Sequence, residues 1–290
     1  VLLRDEWAVS GDGRLVSRQD NWAYISPQFD LQWVRPVELS RDPRVRAALL
    51  HAIDRDAIGE FVQPGFADTS GDTFMRSNDP RAPFVGQPFA RYRYDRSRAA
   101  QLFGEAGWAR STDGQLIGDD GHQIQIEVRA SNQTWTKETA LVADFWRQAG
   151  IDAPELVIPP ARQRDNEYQA TFPGVAIRAR GSGDGIMVAF DSRLQSLAQN
   201  RWQGANYAHY ANPRLDTLLD RVASTVDVRE NGLVLRDIGE IFATELPALP
   251  IYYRTTFAAV RKGLNAVVDD YQGIVDSGDM TRYAHLWEVQ

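Results

Sequence analysis

Beyond Pro36 the chain exchanges short strand-like pieces for long runs with a helical period, and this switch restricts its possible architectures more than any other feature. From Asp42 to Ile58 the side chains of Val45, Leu49, Ile53 and Ile58 fall close to one stripe. Asp42 stands at the cap and Pro43 at the first helical position. A second helix begins at cap Asp95, gathers Ala99, Leu102, Phe103 and Ala106 on one side and stops at Gly107. Ile124, Ile126 and Val128 then alternate as a half-buried strand. A third helix, Thr136 to Gln148, closes at Gly150 and leads into a strand at Leu156 to Ile158. Asn212-Pro213 opens another helix through Leu215, Leu218, Leu219 and Val222, and Arg229 to Glu245 forms the next. Leu249 to Tyr253 and Phe257 to Val260 read as two strands. Ahead of Pro36, strand character is read at Trp7 to Val9, Arg14 to Ser17, Trp22 to Ile25 and Leu31 to Val34, broken by the turn Gly11-Asp12-Gly13. The expected class is α/β or mixed α+β, with helices packed on a mixed sheet.

The 290 residues, 43% hydrophobic and 24% charged, supply one large or two medium cores. A net charge of -7, with Lys137 and Lys262 as the only lysines, argues against a nucleic-acid binder, which needs a basic face to displace phosphate counterions. With no cysteine, disulfides, thiolate zinc sites and cysteine nucleophiles are excluded. His51, His122, His209 and His285 have no metal-like spacing, and no cofactor is expected. The longest apolar stretches, such as Leu246 to Tyr253, fall far short of the roughly 20 residues of a membrane span. The abrupt opening Val1-Leu2-Leu3-Arg4, without a charged start and apolar signal core, reads as a piece cut from a longer precursor.

Three landmarks carry a family resemblance. The first is Asp42-Pro43-Arg44-Val45-Arg46-Ala47-Ala48-Leu49 running on to Ala52-Ile53-Asp54-Arg55. The second is Tyr94-Asp95, then Ala99, Ala100, Leu102, Glu105-Ala106-Gly107-Trp108 and Asp113-Gly114. The third is Tyr210-Ala211-Asn212-Pro213-Arg214-Leu215-Asp216, Asp227 and Glu245-Leu246-Pro247-Ala248-Leu249-Pro250-Ile251-Tyr252. In this order the chain resembles the family 5 extracellular solute-binding proteins, which include dipeptide, oligopeptide and nickel receptors. The resemblance implies a two-lobed receptor with a periplasmic-binding-protein-like fold of type II. In that frame residues 1–38 are strands of the first lobe and hinge, 39–254 the ligand-binding second lobe, and 255–290 the return to the first lobe. Crossings are expected near Val34 to Leu39 and Tyr253 to Phe257. Between Phe172 and Asn200 the chain departs from the family pattern, and there Asp184 is aligned with the acidic residue that meets a peptide amino group.

The landmark helices identify the family without touching ligand, since Val45, Leu49, Ala106 and Trp108 fit a core. Arg178 and Arg180 share one face of a strand and, with Asp184 beside a Gly-rich turn, suit a zwitterionic ligand. The same residues fit a solvated strand edge with surface ion pairs of little worth. Trp135, Trp202 and Tyr207 lie beside polar turns, placed either to stack on a ligand or to pack a hinge or core. The run Gly181-Ser182-Gly183-Asp184-Gly185 lacks phosphate-loop spacing, and Asp113-Gly114 and Asp119-Asp120-Gly121 read as hairpin turns rather than calcium ligands. No constellation points to catalysis. The expected function is therefore the receptor of an ABC importer, periplasmic or held at the cell surface through an anchor outside the chain. It would bind an oligopeptide or similar small solute and hand it to the permease as a monomer. The rival from another class is the ligand-sensing domain of a transcription regulator.

Overall fold

A computed structural model describes residues 2–66, 71–181, 183–265 and 288–289. In chain order the elements are α1 (Leu2–Ser10), β1 (Gly13–Pro27), α2 (Glu38–Arg41), α3 (Pro43–His51), α4 (Arg55–Val62), α5 (Ala82–Val85) and α6 (Arg96–Glu105). A small hairpin, β2 (Ala109–Arg110) with β3 (Leu116–Ile117), precedes β4 (Val128–Ala130), α7 (Thr136–Gln148), β5 (Glu155–Val157), α8 (Asn166–Ala170), β6 (Val175–Arg180) and α9 (Asp184–Met187). After a loop come α10 (Pro213–Ser224), α11 (Val228–Glu245), β7 (Leu249–Arg261), and the pair β8 (Leu264–Asn265) and β9 (Glu288–Val289).

The helices start where short polar side chains can satisfy free backbone N–H groups. Asp42 accepts from Arg44, Asp95 from Arg98, Asp227 from Glu230, and Asn212 from both Arg214 and Leu215. Pro43 and Pro213 follow their caps at positions where no N–H is required.

The main sheet has the order β5-β4-β6-β1-β7. β4 is parallel to β5 and β6, while β1 is antiparallel to β6 and β7. Four strands therefore share one direction and end along one edge. Both faces are covered. Ala23 and its partner Tyr252 look toward α4 and α7, where Trp146 donates its indole N–H to the Leu49 carbonyl of α3 at 3.1 Å. Trp22 and Tyr24 face the other way, stacked at 5.3 Å and enclosed by Phe74, Phe89 and Phe190, with Phe242 of α11 behind. Close approach of backbones fixes the sheet's lower end: a Cβ on Gly174 would lie 2.2 Å from the Glu127 carbonyl oxygen.

Several expectations are corrected. Trp7 to Val9 lies in a helix, α1, and Leu31 to Val34 forms a turn in which the Val34 N–H donates to the Asp30 carbonyl. The two C-terminal strands are one, β7, because its partner β1 is itself continuous from Gly13 to Pro27. Trp22 to Ile25 form the centre of this core, and Val34 and Leu39 are fully buried in it. The physical reason is that β1 lies between β6 and β7 through residues 22–25. Only residues 13–19, paired with Thr255–Arg261 of β7 alone, leave the five-stranded body as a two-stranded ribbon. Of the expected C-terminal return at 255–290, residues 266–287 and 290 lie outside the described residues, His285 among them.

Candidate functional site

In an open sheet with parallel strands, ligands are held in the crevice outside the carboxyl ends of the strands, where loops spread and backbone groups lack ladder partners. Here that edge is formed by the ends of β5, β4, β6 and β7, at residues 157, 130, 180 and the region of Tyr253. The ribbon of β1 and β7 leaves the body at the same edge, because Arg180 at the end of β6 pairs with Trp22 and the ribbon begins just beyond.

One half of the edge follows β4. The chain turns at Asn132, whose side chain caps the short helical turn Gln133–Trp135, and continues into α7. Trp135 is buried, and the guanidinium of Arg254, an exposed residue on β7, lies 5.3 Å from its ring centroid. Glu138, in the first turn of α7, is 2% exposed and accepts a 2.5 Å hydrogen bond from the Tyr252 hydroxyl at Oε1. Its Oε2 is buried without a protein partner. Burial, reinforced by the Glu138 carboxylate, pushes the Tyr252 hydroxyl pKa far up, so this proton stays on tyrosine. Gln63 of the segment after α4 braces the strand: its amide donates to the Tyr253 carbonyl at 2.8 Å and its Oε1 accepts from Thr255 N–H at 3.0 Å. Between these groups opens a cleft of about 550 Å³, lined by Gln63, Lys137, Glu138, Tyr252 and Arg254 among others.

The other half follows β6. Arg180 donates weakly to the Ala205 carbonyl at 3.4 Å, and Asp184 begins α9. The carboxylate of Asp184, 60% exposed, is gripped at 3.0 and 3.1 Å by one guanidinium nitrogen of Arg81, which also holds Asp79 and Asn231. Arg178 sits one strand repeat below Arg180 on the same face, beside Tyr24. It donates to the Gln169 carbonyl at 2.8 Å, and its guanidinium carbon lies 4.8 Å from the Tyr207 ring centroid and 5.7 Å from that of Phe172. Burial lowers its pKa to about 10, which leaves it cationic at neutral pH. Arg129 and Arg162 lie over the Tyr168 ring at 4.8 and 3.8 Å, extending this cationic aromatic surface toward β4.

The six residues singled out from the sequence thus fall into three groups. Trp135, Arg180 and Asp184 stand at the carboxyl edge, in the turn after β4, at the end of β6 and at the start of α9. Arg178 and Tyr207 meet each other on the sheet face. Trp202 is half-buried in the loop before α10, at a φ of 59°, where its carbonyl accepts from the Ser196 hydroxyl. Sequence reasoning missed Arg254, Glu138 and Arg81. The one available signal was Glu138, an acidic residue in a first helical turn that directly follows a strand-end tryptophan. Among the described residues no group of three or more His, Asp or Glu side chains is placed to hold a metal ion, and no helix is long and apolar enough to cross a membrane.

Comparison with known proteins gives this edge its context. The sequence profile of bacterial extracellular solute-binding proteins, family 5 (middle region), matches residues 11–192. The chain is 22% identical over 236 residues to an oligopeptide-binding protein, AppA, of Bacillus subtilis, covering 80% of this chain and 42% of that protein. It is 24% identical over 241 residues to the dipeptide-binding protein of Escherichia coli, covering 80% and 41%. The chain therefore spans about two fifths of the length of these relatives. Among solved structures, NikZ of Campylobacter jejuni in complex with Ni(L-His) superposes with a TM-score of 0.72 at 19% identity, covering 99% of this chain and 56% of that one. The oligopeptide-binding protein of Thermus thermophilus complexed with a pentapeptide gives 0.68 at 25% identity, covering 88% and 45%.

Proposed function

The chain belongs to the bacterial extracellular solute-binding proteins of family 5, and from that premise we propose that it is the ligand-binding lobe of a receptor that delivers an oligopeptide or similar small solute to an ABC permease. The observation that carries the reading is that two groups of charged and aromatic side chains, Trp135 with Arg254 on one face of the sheet and Arg180 with Asp184 at the end of β6, stand at the carboxyl edge from which the β1–β7 ribbon departs. A ribbon of two strands is a narrow connection. It bends as a hinge while the packed body stays rigid, so a second lobe at its far end can close over the edge and enclose a ligand. In this reading the body runs from about Trp22 to Tyr253 and the crossings lie at 13–19 and 255–261. The sensor role is not favoured: relatives over four fifths of this chain are named for the peptides they bind.

The mixed charge of the edge suits ligands that carry both signs. Arg180 and Arg254 present cations, and the exposed Asp184 presents an anion already shared with Arg81. Isothermal titration calorimetry of the full-length protein with pools of di- to pentapeptides tests the reading. Saturable binding of at least one pool, weakened about tenfold or more by a joint Arg180→Ala, Arg254→Ala change, is expected. Full affinity in that variant would move the site away from this edge.

A further inference from the structure

Resting on the reading of the carboxyl edge as the ligand face, we propose that Glu138 is a specificity residue that receives the ammonium or guanidinium of a basic ligand side chain on its buried Oε2. The carboxylate is 2% exposed, yet only one of its two oxygens is used, by the Tyr252 hydroxyl. A buried acceptor left without a partner is costly, and a buried anion more so; nature retains such a group where something else completes it. Glu138 is among the residues that line the cleft of about 550 Å³, and its Oε2 is covered there, so a ligand group entering the cleft reaches that oxygen by displacing what covers it.

The neighbours define the chemistry. Tyr252 holds Oε1 and so fixes the plane of the carboxylate. The nearby cations do not complete it: Arg254 is an exposed residue whose guanidinium lies over the Trp135 ring, and the Lys137 side chain is exposed. Both are exposed residues of the cleft's lining, where they would meet a ligand carboxylate and repel a bare cation. The cleft is thus graded, anionic in its depth and cationic at its rim. A zwitterionic ligand whose positive end enters first satisfies both, and a polyanion satisfies only the rim.

The test uses the full-length protein and the tripeptides Ala-Lys-Ala, Lys-Ala-Ala, Ala-norleucine-Ala and norleucine-Ala-Ala, titrated calorimetrically into wild type and Glu138→Gln. The glutamine keeps an oxygen for Tyr252 and turns the free acceptor into a donor. Expected is a preference of about tenfold for lysine over norleucine at one position of the peptide, as a charge-assisted hydrogen bond supplies, abolished in the variant while norleucine binding persists. Equal binding of lysine and norleucine by wild type overturns the proposal and leaves the receptor reading intact. An unchanged lysine preference in Glu138→Gln also overturns it, as does a lowered melting temperature with unaltered selectivity, which assigns Oε2 a donor from elsewhere in the protein. Absence of binding by all four peptides counts against the peptide reading and the proposal together.

Discussion

At the scale of the residue, the buried arginines show how one side chain can hold several segments. Arg46 of α3 is 4% exposed and donates to the carbonyls of Glu245, Leu39 and Ser40 at 2.7 to 2.8 Å, while its guanidinium lies 5.0 Å from the Phe29 ring centroid. It closes the C-terminal end of α11, where Leu246 turns left-handed and the last carbonyls lack helical partners. Arg46→Met keeps the stem and strands three carbonyls, so a loss of about 3 kcal/mol or more is expected from urea denaturation, each orphaned group costing at least about 1 kcal/mol. A loss below about 1 kcal/mol would show that water replaces the guanidinium. None of this was visible in the sequence, where Arg46 is one polar residue inside an amphipathic helix. Trp135, Arg180 and Asp184 stood out because each lies beside a turn. Glu138 follows Trp135 in the same segment, whereas Arg254 and Arg81 come from β7 and from the cap of α5, and one-dimensional spacing carries no sign of those two contacts.

At the scale of the element, local chemistry was the legible part. The helix Thr136 to Gln148 is found at the bounds expected from its period, and the caps Asp42, Asp95 and Asn212 act where their positions indicated, because a cap bonds an N–H two or three residues away. The long strands were less legible. β1 carries the polar run Arg18-Gln19-Asp20-Asn21 at the point where it leaves the packed body, so alternation breaks although the strand continues. Asp42 and Asp191 tie this scale to pH. Side-chain hydrogen bonds from Arg44 and Arg193 respectively, with backbone N–H bonds added, hold both carboxyls below the usual aspartate value. The folded chain then binds their protons less readily than the unfolded chain. Their contribution is complete above about pH 4 and fades as pH falls through the lowered folded values. Asp42→Ala is expected to cost about 1 kcal/mol at pH 7, and thermal melts from pH 7 to pH 2 should show the gap to wild type closing in acid. A constant gap would show that the carboxylate's charge is irrelevant to the cap.

At the scale of the whole molecule, the described residues form a three-layer body of sheet between helices, with an open carboxyl edge and a narrow two-stranded ribbon leaving it. The ribbon 13–19 with 255–261 is paired only to itself, while the strands beside it are covered on both faces. That asymmetry between a packed edge and a slender connection is what the proposed closing receptor requires. The most direct measurement of the central claim is mass spectrometry of small molecules released on denaturing the gently purified full-length protein. The account predicts short peptides or a related zwitterionic solute near one equivalent per protein, displaced by added peptide. A protein that carries no such solute, and that neither binds nor closes on any peptide offered, would contradict it.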